Sequence, residues 1–442
     1  MAKLWKKSDM KIAPAVEKYT AGTDYIFDVE ILPFDIQASR AHAKGLQKIG
    51  ILNTDELKQI GEGLDALEKD FKAGKIAIRP EDEDCHTVIE NYLVEKIGEA
   101  GKKIHTGRSR NDQIAVAMRL YMKTHLASLE KDARTLAGQF IGSAEKHQDM
   151  PMPGYSHTQQ AMLTTVGHYF AAYAESLLDD ADLVAAVLTH IDKNPLGTGA
   201  GFGTSIPVDR EFTTKELGFS GTQINSLYVQ NSRGKFESAY MEALAQVMLT
   251  LGKFANDTLL FTSQEFDYFS VDESLTTGSS IMPHKKNLDP MEVLRGQVSV
   301  VVGNQLIVKD IAKNLMSGYN RDGQLIKKPL IESTHIVEDS LEVAGLVLAG
   351  LTPKQENIRA KIHKGIFTAD IANEMVTKEG MAFRDAYQKA ASMELENVRP
   401  SEERGSTERS SANVDLKKNI ASKKSLGAPG NLGLNILRRR LK

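Results

Sequence analysis

Long apolar stripes at helical spacing constrain the fold of this 442-residue chain more than any other feature. Apolar residues recur at steps of three or four from Met122 to Ala144, from Val166 to Ile191 and from Tyr240 to Thr258, and again within 293–308 and 337–351. Alternating strand patterns with Asn-Gly or Asp-Gly turns are nearly absent, which disfavours a sheet protein. We therefore predict an all-α fold built around a bundle of five long helices.

Composition narrows the class of protein. At roughly 100 to 200 residues per domain, the chain allows two to four domains. A net charge of -3 and a pI near 6.4 give no general attraction to nucleic acid or to anionic membranes. The single cysteine, Cys85, excludes an internal disulfide framework. No apolar run reaches the ~18 residues that span a bilayer, and residues 1–7 lack the apolar core of a signal peptide. We expect a cytoplasmic protein that binds neither nucleic acid nor membrane.

The segment from Thr277 to Asn287 has the composition of an anion-binding loop. It contains Gly278, two serines, Pro283, two lysines and an asparagine. Glycine allows unusual backbone angles, proline stiffens the loop, and the short side chains leave peptide N–H groups uncovered for a carboxylate or phosphate. An exposed basic turn is the alternative, but a turn does not require so many hydrogen-bond donors.

A second polar segment runs from His105 to Gln113, just before a helical pattern. Arg108 and Arg110 are two residues apart, so in an extended segment both guanidinium groups leave on one face and can each bind a carboxylate. The alternative is a helix N-terminus capped by Ser109 or Asn111, with Asp112 near its positive end. Both interpretations can hold, because a helix N-terminus is itself an anion site.

Two further polar segments complete a set of four. The segment 152–160 is predicted to lead into a helix, and its His157 can exchange a proton near neutral pH, although a structural histidine is the alternative. The segment 317–324, followed by Lys327, again mixes glycine, polar donors and cations. Four such loops between long helices suggest one composite site for a small polyanionic molecule.

Nucleotide and metal sites are not expected. The glycine-rich run 197–205 follows a helical stripe and leads to Ile206-Pro207, so it lacks the strand and helix of a dinucleotide-binding unit. We predict a flexible, close-packed connection there. No set of His, Cys, Asp and Glu residues has convincing ligand spacing, so we expect neither a metal nor a cofactor.

On these residues the chain resembles the argininosuccinate lyases, within the superfamily that includes fumarase and aspartase. The loop 278–287 is typical of the superfamily, and 105–113 matches the block that separates argininosuccinate lyases from their relatives. The resemblance continues through residues 83–90, 365–370 and 383–386, so it covers nearly the whole chain.

The resemblance implies a fold, an assembly and a reaction. The expected domains are an N-terminal helical domain (1–108), a central helical bundle (109–358) and a small C-terminal helical domain (359–442). Four copies are expected to form a homotetramer with a twenty-helix core and active sites shared among three subunits. The implied reaction splits argininosuccinate reversibly into L-arginine and fumarate, the last step of arginine biosynthesis.

The resemblance also assigns roles. Ser279 is the implied base, assisted by Lys285, and His157 is the acid or a proton relay. Glu292 is the implied partner of the histidine, although a surface helix glutamate is the alternative. The residues implied to bind substrate are Ser109, Arg110, Asn111, Ser156, Asn287, Tyr319, Gln324 and Lys327.

Some positions depart from the family pattern. Asp24 stands where a substrate-binding serine is expected, so either Thr23 serves instead or the substrate preference differs. Asn225 begins a segment that lacks the usual aspartate, and Met162 and Leu288 are also unusual. Besides argininosuccinate cleavage, two alternatives stay open. One is a related lyase that releases fumarate from another N-substituted aspartate, and the other is a non-catalytic structural protein. Retention of the catalytic residues argues against the last, because a structural protein has no need of a charged loop.

Overall fold

The computed structural model describes residues 13–393, 399–401 and 413–442. Most of these residues are helical and the strands are short, which confirms the all-α prediction. Residues 1–7, which carried the expectation about a signal peptide, lie outside the described ranges. None of the described helices combines the length and the apolar character that crossing a bilayer requires.

Helices form most of the described chain. They are α1 (Pro14–Ala21), α2 (Asp24–Lys48), α3 (Thr54–Lys72), α4 (Cys85–Ile97), α5 (Glu99–Lys102), α6 (Arg110–Lys146), α7 (Val166–Ile191), α8 (Arg210–Glu216), α9 (Ser226–Asn231), α10 (Lys235–Phe261), α11 (Asp289–Ala312), α12 (Lys327–Gly350), α13 (Gln355–Ala360), α14 (Thr368–Glu379), α15 (Phe383–Ala391), α16 (Leu416–Ser422) and α17 (Leu434–Arg440). Single 3-10 turns occupy Glu273–Leu275, Arg321–Ile326 and Lys364–Phe367.

The strands form small two-stranded pairs. They are β1 (Pro151–Ser156), β2 (Gln159–Thr165), β3 (Lys193–Asn194), β4 (Gly221–Thr222), β5 (Phe269–Val271), β6 (Thr277–Gly278), β7 (Lys286–Asn287), β8 (Leu351–Pro353), β9 (Arg399–Ser401) and β10 (Asn413–Asp415). The pairs β1–β2, β5–β8 and β6–β7 are antiparallel, whereas β3–β4 and β9–β10 are parallel.

Cα packing divides the chain into two compact units. Unit 1 comprises the described residues of 1–130, 183–245 and 299–337, and unit 2 those of 131–182, 246–298 and 338–442. The division passes through the long helices α6, α7, α10, α11 and α12. Domain boundaries at residues 108 and 358 stay a prediction.

Each unit has an apolar core of its own. In unit 1, Ala38 and Ala41 of α2 pack with Val116 and Leu120 of α6 and with Phe219. In unit 2, a separate cluster joins residues of β2, the 3-10 turn at Lys364–Phe367 and α16; its members are Leu163, Ile362, Ile366, Phe367, Leu416 and Ile420. A buried aliphatic or aromatic side chain contributes about 1.5–3 kcal/mol of transfer free energy. The unit 1 cluster therefore stabilises the packing of α2 on α6, and the unit 2 cluster stabilises the packing of short elements on one another.

The predicted apolar stripe on α11 differs from other predicted stripes because several of its residues are exposed. Val293, Val300 and Ile307 recur every seven residues with 60%, 45% and 46% of their surface exposed, and Leu306 is 67% exposed. The stripes predicted from Met122 to Ala144 and from Val337 to Leu348 are buried instead. A seven-residue apolar repeat is typical of a helix that packs against another helix. The outward face of α11 is therefore suited to contact with another protein surface.

Candidate active site

The start of α6 is a side-chain cap. The Ser109 N–H donates to Asp112 Oδ1 at 2.8 Å, and the Asn111 N–H donates to Ser109 Oγ at 3.3 Å. Such reciprocal bonds satisfy backbone donors that a helix N-terminus leaves free. The capping interpretation of Ser109 is therefore confirmed.

The glycine-rich run holds the other oxygen of Asp112. The N–H groups of Gly197 and Gly199 both donate to Oδ2 at 3.0 Å. Both glycines have positive φ angles, +84° and +57°, which residues with a Cβ rarely adopt. Burial raises the pKa of Asp112 to about 6, although the three backbone donors oppose the rise. Residues 197–199 are thus close-packed around a buried carboxyl group, whereas 202–205 are exposed.

Arg108 and Arg110 do not share a ligand-binding face. The side chain of Arg108 is buried and its Nη1 donates to Ser39 Oγ at 2.9 Å. Arg110 donates from Nη1 to Asp84 Oδ2 at 3.0 Å and from Nη2 to Thr87 Oγ1 at 2.8 Å. The prediction of a common face was wrong, because α6 already begins at Arg110 and the two residues do not lie in one extended segment.

A cavity of about 280 Å³ in unit 1, the unit 1 cavity, gathers many of the remaining polar groups. Five residues predicted to bind substrate line it, namely Arg110, Asn111, Tyr319, Gln324 and Lys327. They come from two separate stretches of sequence, 110–111 and 319–327. The lining also includes Asp24, Glu83, Asp84, His86, Arg233 and Arg321.

Most charges in the unit 1 cavity are paired. Glu83 accepts from Arg321 Nη2 at 2.7 Å, and Asp84 accepts from Arg110. Burial by itself would raise the pKa of Asp84, but the charges of His86 and Arg110 hold it below the usual range.

Lys327 is buried at one corner of the unit 1 cavity. Its ammonium group lies 2.8 Å from Asp24 Oδ1 and also donates to the fully buried Asp28. Burial alone would lower the pKa of Lys327, but Asp28 and then Asp24 outweigh it and raise this pKa above its usual value. Lys327 thus lines the cavity as a cation that already has two carboxylate partners, and its role in substrate binding stays a prediction.

Gln324 and Tyr319 are also engaged within the chain. The Gln324 amide donates to the carbonyl oxygens of Thr20 and Ala21 at 3.1 and 3.2 Å. The guanidinium group of Arg233 lies over the Tyr319 ring, 5.1 Å from its centroid. Gln324 therefore ties the end of α1 to the cavity wall, while Tyr319 orients an arginine.

The structure also explains two departures. Asp24, and not Thr23, lines the unit 1 cavity, because Thr23 precedes the first residue of α2 and is exposed. Asn225 caps α9 by accepting from the Tyr228 N–H at 2.8 Å, and Asn231 Oδ1 accepts from the Gly318 N–H at 2.7 Å. The segment that begins at Asn225 therefore shapes the wall that carries Arg233.

The roles of several lining residues were not predicted. Glu83, Asp84 and His86 stood within the matched stretch 83–90 but were given no part in the site. Arg321 belongs to the polar segment 317–324 but was given no role of its own, and Arg233 carried a weaker signal, as a single arginine beside Gly234. Asp28 had none, because its importance depends on a lysine 299 residues further along the chain.

One buried cluster contains potential metal ligands. Atoms of Asp35, Cys85 and His86 lie within 4.8 Å of one another, although Asp35 is distant in sequence. His86 Nδ1 and Asp35 Oδ2 are 2.6 Å apart, at hydrogen-bond distance. Burial, with the charges of Asp28 and Asp35, raises the pKa of the Cys85 thiol well above its usual value. Because metals bind the thiolate, this environment favours a hydrogen-bonded pair beside a neutral thiol.

In unit 2, His157 lies at the tip of a hairpin. Ser156 pairs with Gln159, and the two turn residues His157 and Thr158 have φ angles of +52° and +59°. The predicted helix start was wrong, because α7 begins at Val166. Two positive φ angles match the twist of a two-residue hairpin turn, which Asn-Gly normally signals. The turn residues are His-Thr, which do not signal such a turn. Ser156 and His157 are exposed to solvent there.

Ser279 lies in a second loop of unit 2. The strands β6 and β7 close this Ser279 loop (279–285), in which Ser279 Oγ accepts from the Met282 N–H at 3.1 Å and the Ile281 N–H at 3.4 Å. Lys285 is exposed, Asn287 ends β7, and Glu292 is exposed in the first turn of α11. Across the part of the chain that the structure describes, no hydrogen bond joins His157 to Ser279.

Comparison with known proteins agrees with this helical lyase architecture. Residues 11–303 match the protein family described as lyase, which places the chain in the fumarase/aspartase superfamily. A crystal structure of EDDS lyase in complex with formate is similar in fold, with a TM-score of 0.78 and 22% identity; it covers 98% of this chain and 90% of its own.

More similar relatives define the family within that class. An argininosuccinate lyase of Thermotoga neapolitana is 43% identical over 389 residues, which cover 88% of this chain and 97% of the relative. An argininosuccinate lyase of Xanthomonas campestris pv. campestris is 39% identical over 437 residues, 99% of this chain and 98% of the relative. The chain belongs to the argininosuccinate lyase family.

Proposed function

We propose that this chain cleaves argininosuccinate reversibly into L-arginine and fumarate. The observation that carries the proposal is the convergence of Arg110, Asn111, Tyr319, Gln324 and Lys327 around one cavity of unit 1. Argininosuccinate carries three carboxylates, an ammonium group and a guanidinium group. A cavity lined by both cations and carboxylates suits such a molecule better than a uniformly basic one would.

The reaction is an elimination. A base takes a proton from the carbon next to a succinate carboxylate, and the electron pair left behind forms the double bond of fumarate as the carbon–nitrogen bond breaks. The departing guanidino nitrogen receives a proton. The carbanion character that develops requires positive charge near that carboxylate, a role we assign to Lys285 with Asn287.

We assign proton removal to Ser279. A serine hydroxyl is a weak base, so its alkoxide must be stabilised by nearby dipoles or cations. The two backbone N–H groups that point at Ser279 Oγ supply such dipoles, which supports the assignment. We assign protonation of the leaving nitrogen to His157 with Glu292 as its partner, and contacts with the fumarate portion to Ser109 and Ser156.

We further propose that the active enzyme is a cytoplasmic homotetramer with shared sites. Ser279 and His157 lie in loops where water reaches the side chains, and catalysis of this kind needs water to be excluded. The exposed apolar repeat of α11 offers a surface on which other copies of the chain can pack. Subunit association would then bring loops of different chains together.

Fumarate release tests the function directly. Purified protein should produce the ultraviolet absorbance of fumarate from argininosuccinate, and not from adenylosuccinate, aspartate or malate assayed beside it. Release from another N-substituted aspartate would favour the related-lyase alternative, with Asp24 as the first residue to examine. Release from none of the four would contradict the proposed reaction.

A further inference from the structure

The charges of the unit 1 cavity leave one corner with an excess of negative charge. Arg110 is paired with Asp84, and Arg321 with Glu83. Lys327 is shared by two carboxylates, those of Asp24 and Asp28. With both ionised, two charges of −1 and one of +1 sum to −1 at this corner. A buried net charge is costly unless a ligand or counter-ion compensates it.

Asp24 and Asp28 differ in what they can reach. Asp28 is fully buried and also accepts a hydrogen bond from the Cys85 N–H at 2.7 Å, so it is committed to the protein. The side chain of Asp24 keeps 15% of its surface exposed and lines the cavity. Both carboxylates contact Lys327, but only Asp24 is accessible from the cavity, so Asp24 is the one that a cation there can reach.

The cavity also contains a cation without a carboxylate of its own in the lining pairs described above. Arg233 lines the cavity, and its guanidinium group is held over the Tyr319 ring. A ligand that carries an ammonium and a carboxylate on one carbon complements the charges of Asp24 and Arg233. The α-amino-acid end of arginine is such a ligand.

The succinate end of the substrate does not fit this corner. It carries two carboxylates and no ammonium group, so it would add negative charge beside Asp24. The α-amino-acid end of the arginine portion carries the ammonium group that complements Asp24.

We propose that Asp24 binds the α-ammonium group of the substrate's arginine portion and selects substrates that carry one. This inference rests on the proposed function and names the recognition group within its site. Burial raises the pKa of Asp24, with the charges of Asp28 and Asp84 adding to the rise against Lys327. The positive charge of a bound ammonium group would stabilise the ionised form of the buried Asp24 carboxylate.

The test compares two ligands that differ by the ammonium group alone. L-Arginine and 5-guanidinovaleric acid, which lacks the α-ammonium, are titrated by calorimetry into the full-length protein and into Asp24→Asn. The unaltered protein should bind arginine about 10- to 100-fold more tightly than the deaminated acid, as expected for a charged hydrogen bond. Asp24→Asn should bind the two ligands equally, with its affinity for the deaminated acid unchanged.

Two control variants distinguish direct binding of the ammonium group by Asp24 from an indirect effect of Asp24 through Lys327. Asp28→Asn removes the other carboxylate of the corner and should weaken both ligands by the same factor. Asp24→Ser, the residue type expected at this position, repeats the test if Asp24→Asn lowers the unfolding midpoint. Equal weakening of both ligands by the Asp24 variants would overturn the proposal and make Asp24 a positioning residue. The proposal would also be overturned if the unaltered protein bound arginine and the deaminated acid with equal affinity, or did not bind arginine.

Kinetics then separate this proposal from the proposed function. Asp24→Asn should raise KM for argininosuccinate about 10- to 100-fold while kcat changes less than about threefold. If the unaltered protein releases no fumarate but discriminates arginine from the deaminated acid, the reaction is wrong and the recognition by Asp24 stands. If fumarate is released with no such discrimination, the reaction stands and the role of Asp24 is wrong.

Discussion

The unit 1 cavity and the two exposed loops of unit 2 hold their polar groups in different states. In the cavity, Arg110, Arg321 and Lys327 each contact a carboxylate of the same chain. In unit 2, the side chains of His157 and Lys285 are exposed. The comparison teaches that one chain preorganises the groups assigned to binding, whereas the groups assigned to catalysis lie at surfaces that still need covering. Substitutions in the two regions should therefore have different effects on activity and on stability.

The largest expected effect on activity is that of Ser279→Ala. Loss of the proposed base should lower kcat for fumarate release by about 10³-fold or more. The thermal midpoint should stay nearly unchanged, because the hydroxyl contacts only two N–H groups of its own exposed loop. Ser280→Ala, at the exposed neighbouring position, is the control and should keep most of the activity. A large loss of stability in Ser279→Ala would make Ser279 structural.

His157→Asn should lower activity by about 10²- to 10³-fold. Asparagine tolerates a positive φ angle, so the hairpin turn should survive and the circular dichroism should match that of the unaltered protein. Full activity in this variant would remove His157 from the mechanism.

Mixing inactive variants tests whether subunits share sites. Ser279→Ala and His157→Asn, dissociated together and reassociated, should regain measurable fumarate release, because some mixed sites would contain neither substitution. No recovery, when each variant alone reassociates to the same size, would argue against shared sites.

Lys327→Met should destabilise the fold at the unit 1 cavity. It leaves Asp24 and Asp28 without their buried cation, which costs about 3–5 kcal/mol of unfolding free energy. The adjacent Lys328→Met removes an exposed pair with Glu332, at 3.7 Å, and should cost less than about 0.5 kcal/mol. Denaturant unfolding of both variants measures the contrast. Equal losses of unfolding free energy in the two variants would mean that the buried ion pairs of Lys327 contribute no more to stability than the exposed pair of Lys328.

Leu306→Asp should affect assembly more than folding. Burying a leucine in an interface contributes about 1.5–3 kcal/mol, so a charge at this exposed position should shift the protein to smaller species in sedimentation. Leu306→Met should sediment like the unaltered protein. A smaller helical species that loses fumarate release would sharpen the comparison, because it would show that the exposed loops depend on association.

The smallest effect concerns the pH dependence of stability. Burial alone would lower the pKa of His86, but Asp35 outweighs it and the pKa is raised above 6.5. The stability gained from the charged histidine is therefore complete below about pH 6.5 and is lost as pH rises through the raised value. The difference in thermal midpoint between the unaltered protein and His86→Gln should shrink between pH 6 and pH 9. A constant difference would contradict the charged pair.

Local sequence chemistry predicted the regular parts of this molecule well. The stripes of α6, α10 and α12 were visible because helical periodicity is a short-range signal, and the capping pattern of Ser109 and Asp112 is similarly local. The hairpin at His157 was missed, because its turn has the backbone geometry of Asn-Gly without those residues.

By itself, the sequence determined that the chain is helical, that it belongs among the argininosuccinate lyases, and which polar segments carry the candidate site. Tertiary structure alone decided how those residues are used. It separated Arg108 from Arg110, buried Lys327 between Asp24 and Asp28, and brought Arg233 to Tyr319. The physical reason is that charge pairing and desolvation depend on distances between groups remote in sequence, which no local pattern encodes.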